Sequence, residues 1–301
     1  MNPRGMWLAA GAYLTWGLFP LYWRWLEGIP ALQLLGNRIV WSFVLMLGIL
    51  VAQRRWRQFR PLASDRRVLG IYALAAVLIG VNWMIYVWAV TSGYVVESSL
   101  GYFINPLLSV LLGMIFFQER LRSGQWLPLA LAAAGVAYLT YTYGSLPWIA
   151  LTLAFSFGFY GLVKKKAPLS AAYGLTLETG VLFLPALAYL AYCSLIGTGA
   201  LFHSDAITNL LLIGAGVVTA VPLLMFASAV RLIPLSVVGL MQYIAPTMQF
   251  LLGVLVFKEA FTKQMAFGFS LVWLALIILW VEGYRANRLA NLQRAALQSA
   301  D

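Results

Sequence analysis

Six polar side chains sit inside apolar stretches that a helix would carry through lipid: Arg38, Asn82, Tyr86, Glu97, Tyr102 and Asn105. A charge at membrane depth costs a few kcal/mol or more unless it is paired or wet. Such residues are therefore expected to face a cavity or one another. With about 1.5 Å of rise per residue, Arg38 falls about 10 Å below one end of its stretch. Asn82 and Tyr86 lie about 8–14 Å below the same surface, and Glu97, Tyr102 and Asn105 within about 14 Å of it. Three helices thus bring a cation, a carboxylate, two amides and two phenols into one layer. Their chemistry is recognition of a small solute: Arg38 suits a carboxylate or zwitterion, while Glu97 and the neighbouring rings, Trp83 among them, suit an amine. A second reading is purely mechanical. Arg38 and Glu97 would pair to lock two helices, and the amides and phenols would bond carbonyls freed by Pro106.

A sparser group is expected nearer the opposite surface. Glu178 is expected to pair with Lys164, Lys165 or Lys166, or to face an inner vestibule, with Gln242 and Tyr243 as companions. Glu97 and Glu178 are the candidates for proton coupling, and Pro106 and Pro246 for gating. Catalysis has little to work with. There is no HExxH, no pair of intramembrane aspartates and no serine–histidine dyad, and the single histidine, His203, lies in a polar loop. Cys193 stands alone, so neither an intrachain disulfide nor a thiolate metal site forms, and no cofactor is expected. No GxxxxGK[ST] phosphate loop is present, which argues against a nucleotide-driven pump.

The elements that must hold these residues are long and apolar. Of 301 residues 62% are apolar and 10% charged, against about 25% charged in a soluble domain. Ten runs are long enough to cross roughly 30 Å of hydrocarbon. They lie near 6–25, 31–52, 68–91, 96–117, 125–142, 147–163, 174–195, 207–228, 235–257 and 265–283. The net charge of +11 is unevenly placed: sixteen of the twenty Lys and Arg fall on the side that holds both termini. The positive-inside rule puts that side in the cytoplasm. The basic run QRRWRQFRPLASDRR then reads as a cytoplasmic loop against anionic lipid, not a nucleic-acid site. Trp7, Trp25, Trp126, Trp148 and Trp280 read as interfacial anchors. Trp16, Trp41, Trp83, Trp88, Tyr102 and Tyr243 lie deeper, where they could wall a cavity.

The chain also repeats itself. LGYFINPLLSVLLGMIFFQE (100–119) and LMQYIAPTMQFLLGVLVFKE (240–259) share eight of twenty positions without a gap, including Pro106/Pro246, Gly113/Gly253 and Glu119/Glu259. At an offset of 141, Trp7/Trp148, Gly17/Gly158 and Leu21/Leu162 also match. A repeat of five spans enters the membrane the second time from the opposite face, and inverted repeats are a common architecture of secondary transporters. The expected organisation is an all-α membrane protein of ten transmembrane helices in two inverted five-helix repeats, 1–145 and 146–284. A cytoplasmic tail, 285–301, follows.

The stretches NWMIYVWAV (82–90), ESSLGYFINPLLSVLLG (97–113), NRIVWS (37–42) and QYIAPT (242–247) resemble the RarD family, in the EamA group of the drug/metabolite transporter superfamily. The resemblance covers most of residues 4–283. It implies a bacterial inner-membrane, ten-helix protein with inverted repeats, in a family whose name is tied to chloramphenicol sensitivity. The chain departs from the family at Gln33 and Asn37, where members often carry Glu and His. The expected activity is secondary transport of a small organic metabolite or drug-like solute by alternating access, proton-coupled or by exchange. A solute channel, or a receptor without a transport cycle, is the alternative. The partners expected are a small-molecule solute and membrane lipid, with no nucleic acid; a homodimer is allowed.

Overall fold

The computed structural model describes residues 2–91, 95–143 and 148–256. Beyond them it describes 262–264, 266–268, 270–271, 273–275, 277–278, 281–282 and 285. Every regular element among the described residues is helical. In chain order they are α1 (Pro3–Gly17), α2 (Phe19–Arg24), α3 (Ala31–Ala52), α4 (Trp56–Ser64), α5 (Arg66–Thr91) and α6 (Val95–Phe117). There follow α7 (Ser123–Tyr143), α8 (Trp148–Lys166), α9 (Ala171–Leu195), α10 (Ala206–Leu232), α11 (Leu235–Met241) and α12 (Ile244–Leu255). The described residues between 263 and 285 are helical as well.

Ala31–Ala52, Arg66–Ala89, Ala171–Leu195 and Ala206–Leu232 are long and apolar enough to cross a membrane. Leu74, Val77, Leu184, Leu195 and Leu210 stand exposed on them. Apolar surface of that extent is fitted to lipid rather than to water.

Two runs expected as single spans are broken, and proline explains both breaks. Pro20 has no N–H to offer the carbonyl of Trp16. The chain turns at Leu18 between α1 and α2, and the freed Trp16 carbonyl accepts Gln249 Nε2 of α12 at 3.0 Å. Pro246 likewise leaves the Gln242 carbonyl without its helical donor, and that oxygen takes the Ala245 N–H at 3.2 Å. The chain turns there between α11 and α12. The hydrogen bond to Gln249 ties the first break to α12, and α1 packs along α12.

Around this junction α10 lies against α1 and α3, α8 against α5 and α6, α3 against α9, and α6 against α11. The last crossing is close: a Cβ on Gly239 would fall 2.8 Å from the Pro106 carbonyl oxygen. Tyr13, Met46, Ile79, Leu112, Ala154, Tyr160, Phe226 and Leu235 belong to the main core.

Two further expectations need correction. The basic run is not all loop, because α4 forms within it. Phe59 is the buried anchor of α4, packed with Leu50, Tyr72, Leu169 and Leu177, while the arginines around it stay exposed. And α8 runs on to Lys166, so Lys164 is a buried helical residue rather than a loop charge.

Candidate functional site

Arg38 is fastened to α10 through two bonds from its helix. Four residues along α3, Ser42 Oγ donates to the Gly216 carbonyl of α10 at 3.1 Å, and Arg38 Nε donates to Thr219 Oγ1 of α10 at 3.0 Å. Gly216 makes this approach feasible, since a Cβ there would sit 2.5 Å from the Trp41 carbonyl carbon. At the start of α3, Gln33 donates to the Thr198 carbonyl and accepts from the Ala200 N–H, each at 2.8 Å. Gln33 thus fastens a loop, and Asn37 Nδ2 bonds the Gln33 carbonyl at 2.9 Å.

The Arg38 guanidinium lies among three rings: its central carbon is 4.9 Å from the Trp83 ring centre, 5.0 Å from Trp23 and 5.9 Å from Phe19. Desolvated contacts of this kind contribute about 2 kcal/mol or more. They offset part of the cost of burying a cation that has no carboxylate bonded to it among the described residues.

This guanidinium borders a cavity of about 100 Å³. Arg38, Asn82, Trp83, Tyr86, Tyr102, Asn105 and Gln242 all line it, as does Pro246 at the second break. Five of the six residues expected in the polar layer, Arg38, Asn82, Tyr86, Tyr102 and Asn105, therefore line one space. Asn82 Nδ2 is committed to the Leu153 carbonyl at 2.9 Å and Ser156 Oγ at 3.0 Å, pinning α5 to α8. Tyr86 and Tyr102 meet edge to face at 5.6 Å. Asn105 Oδ1 and Tyr13 Oη, on two residues that line the cavity, are buried with no hydrogen-bond partner among the described residues.

Other expected site residues lie elsewhere. Gln242 sits with Arg38 rather than with Glu178, because the break at 242–243 turns it into the cavity. Tyr243 is directed away: its hydroxyl donates to the Phe103 carbonyl of α6 at 3.3 Å, within a cluster of Phe103, Ala132 and Val136. Pro106 lies within α6 and does not line the cavity, and neither do Trp41 and Trp88. Glu97 lies in α6, but its side chain is not among those described, and with it the pairing of Arg38 and Glu97; Glu259 and Trp280 fall outside the described residues.

Glu178 is bonded as expected. Lys164 Nζ donates to Oε1 at 2.6 Å and Tyr160 Oη to Oε2 at 3.0 Å, all three side chains being buried. One residue along α8, Lys165 Nζ reaches Glu119 Oε1 at 2.8 Å. Glu119 also accepts the Leu235 and Ser236 N–H groups at 2.7 and 2.8 Å, capping α11 from 116 residues away. Burial raises the affinity of the Glu119 carboxyl for its proton. The bonds from Lys165, Ser236 and Leu235 outweigh that and hold it below the usual carboxylate range.

Sequence reasoning missed Tyr13, Phe19, Trp23, Phe157, Thr219 and Gln249, which complete the cavity wall. Gln249 had a readable signal, an amide deep in an apolar run next to Pro246. The aromatic residues had none that separates them from lipid-facing rings.

Comparison with known proteins gives a consistent identity. Residues 3–141 match the EamA-like transporter family. Uncharacterized transporter YojE of Bacillus subtilis (strain 168) is 46% identical over 279 residues, spanning 91% of this chain and 93% of that protein. Protein RarD of Streptomyces exfoliatus is 46% identical over 296 residues, spanning 98% and 93%. Chloramphenicol-sensitive protein RarD of Pseudomonas aeruginosa is 30% identical, spanning 97% and 98%. A chain of known crystal structure shares the fold with a TM-score of 0.66 at 17% identity, over 92% of this chain and 97% of that one. With four helices long and apolar enough to span a membrane, the chain is a multi-pass membrane protein that belongs to the EamA-like transporter family, alongside its RarD members.

Proposed function

We propose that the protein is a secondary transporter that carries a small organic solute across the bacterial inner membrane by alternating access. The observation that carries this reading is the cavity itself. It is bounded by Arg38, Asn82 and Asn105 from the first part of the chain and by Phe157, Thr219 and Gln242 from the second, with both broken helices at its edge. Binding sites between repeats, at discontinuous helices, are the common arrangement in secondary transporters.

The packing supports two inverted repeats, 1–145 and 146–284, with both termini cytoplasmic. At the repeat offset α1 corresponds to α8, α5 to α10, α3 to α9, and α6 to α11 with α12. α1 packs on α10 as α8 packs on α5, and α3 on α10 as α9 on α5. The contacts of α3 with α9 and of α6 with α11 would lie on the pseudo-two-fold axis. In this reading the halves rock about the cavity. Pro106 and Pro246 serve as bending points, and the Lys164 and Glu178 pair as a gate that must part as α8 and α9 move.

The test is counterflow in vesicles reconstituted with the purified protein. Candidate solutes come first from a thermal-shift screen of amino acids, amines, nucleosides, organic acids and amphenicols. Saturable uptake accelerated by the same solute inside the vesicle is expected. Flux that neither saturates nor shows counterflow would indicate a channel and refute the carrier.

A further inference from the structure

The aromatic lining invites the expectation of a cationic ligand, because rings recognise ammonium groups. Here that role is already filled from within. Trp83, Trp23 and Phe19 surround the guanidinium of Arg38, at 4.9, 5.0 and 5.9 Å. A second cation entering the cavity would meet a fixed positive charge in a space with little water to screen it.

The guanidinium is also only partly used. Nε donates to Thr219, and that is its one hydrogen bond among the described residues, leaving both terminal amino groups at the cavity wall. The rigid fork of an arginine matches the two oxygens of a carboxylate. Arg38 is more than nine-tenths buried, so a ligand that bonds it would be desolvated on arrival.

Two further polar atoms, on residues that line the cavity, lack partners among the described residues. Asn105 Oδ1 can only accept a hydrogen bond, and Tyr13 Oη can give or take one; the two residues are 1% and 0% exposed. A buried polar atom without a partner costs about as much as a lost hydrogen bond, so both side chains gain by turning toward a ligand that arrives. The remaining wall is apolar and aromatic, with Trp16 meeting Phe157 edge to face at 5.8 Å.

From this we infer that the solute is a small organic carboxylate with an aromatic or similarly apolar body. Its carboxylate sits on the terminal amino groups of Arg38, and a hydroxyl beside the carboxylate meets the amide of Asn105, which lines the cavity. The inference rests on the transporter reading for its physiological meaning, but the binding it describes is measurable without transport.

Three probes share one benzyl body and isolate each feature: phenylacetate carries the carboxylate alone, mandelate adds a hydroxyl beside it, and benzylamine carries only a cation. Binding to the full-length protein in detergent is read by tryptophan fluorescence, Trp16, Trp23 and Trp83 being at the cavity, and by thermal shift. Phenylacetate and mandelate are expected to bind, mandelate several-fold tighter, and benzylamine not to bind. Arg38→Gln should weaken both acids by about ten- to hundredfold, the range for hydrogen bonds to a charged group. Arg38→Lys keeps the charge without the fork and should fall between, which guards against misfolding as the cause. Asn105→Leu should erase only the advantage of mandelate over phenylacetate.

Binding of benzylamine in preference to the acids, binding of neither acid, or equal binding of the acids to wild type and Arg38→Gln overturns the inference. Counterflow separates this from the transporter reading. Acids that bind but never exchange would leave the inference standing and refute transport, whereas counterflow of an amine would do the reverse.

Discussion

Two buried basic side chains, on α3 and α8, are treated in opposite ways. Lys164 is neutralised: a carboxylate lies 2.6 Å away, and that carboxylate also accepts from Tyr160. Arg38 meets no carboxylate among the described residues, with one hydroxyl bonded to Nε and three rings around it. A charge neutralised inside the protein holds helices together. A charge that is desolvated but left with donors to spare is prepared for something that arrives later. The contrast also separates two meanings of polar residues at membrane depth, which composition alone merges.

The largest effect should come from breaking the neutralised pair. Glu178→Gln leaves Lys164 buried without its counter-charge, at a cost of about 3–5 kcal/mol. In a chain of this size that corresponds to a melting point lower by roughly 10 °C. The double variant Lys164→Met with Glu178→Leu should recover most of the loss, because an apolar pair of similar volume is often neutral. Arg38→Met provides the contrast. It removes a buried cation that meets no carboxylate among the described residues, so stability should change far less than in Glu178→Gln while acid binding disappears. Comparable destabilisation by Arg38→Met and Glu178→Gln would erase the distinction and make Arg38 a structural lock too.

Glu119 is the intermediate case, a half-hidden carboxylate that caps α11 and pairs with Lys165. Removing its charge by Glu119→Gln weakens bonds to a charged acceptor, worth about 1.5–3 kcal/mol. Its carboxyl is held below the ordinary value of 4.5, so the folded state binds the proton less readily than the unfolded chain. The stabilisation is fully present above that value and is lost as the pH falls through the lower, folded one. The difference in melting point between wild type and Glu119→Gln should therefore be constant near neutrality and shrink below about pH 4.5. A difference that grows on acidification contradicts the assigned network.

Much of this frame was legible in the residues. Apolar run lengths placed the helices within a few residues, since a bilayer-spanning helix has little freedom in length. The prolines marked where carbonyls would be freed. The layer of Arg38, Asn82, Tyr86, Tyr102 and Asn105 followed from depth alone, because residues at one depth on neighbouring helices can meet. What a proline does with the freed carbonyl was not legible: the Trp16 carbonyl finds Gln249 across 233 positions. Each break also resets the rotation of the next helix, which is why Gln242 enters the cavity and its neighbour Tyr243 does not. Lys164 was misplaced as a loop charge because hydropathy ends a span at the first basic residue, whereas a counter-ion such as Glu178 lets the helix continue. The Glu119 cap was invisible, as its partners Leu235 and Ser236 are remote in sequence and bond mainly through the backbone.

The smallest expected effect is the sharpest test of how Arg38 is aimed. Thr219 Oγ1 accepts from Nε at 3.0 Å and so sets the plane of the guanidinium, leaving the two terminal amino groups toward the cavity. Thr219→Val keeps the side-chain shape and removes only that acceptor, at about 0.5–1.5 kcal/mol of stability. The charge and the three rings remain, so phenylacetate should still bind, weakened by less than about tenfold, because a fork free to turn loses part of its orientation advantage. Arg38→Lys has no fork to orient. Adding Thr219→Val to Arg38→Lys should therefore weaken binding by less than it does in the wild type. Equal losses in the two backgrounds would mean that Thr219 acts on the ligand directly, and that its bond to Arg38 merely joins α3 to α10.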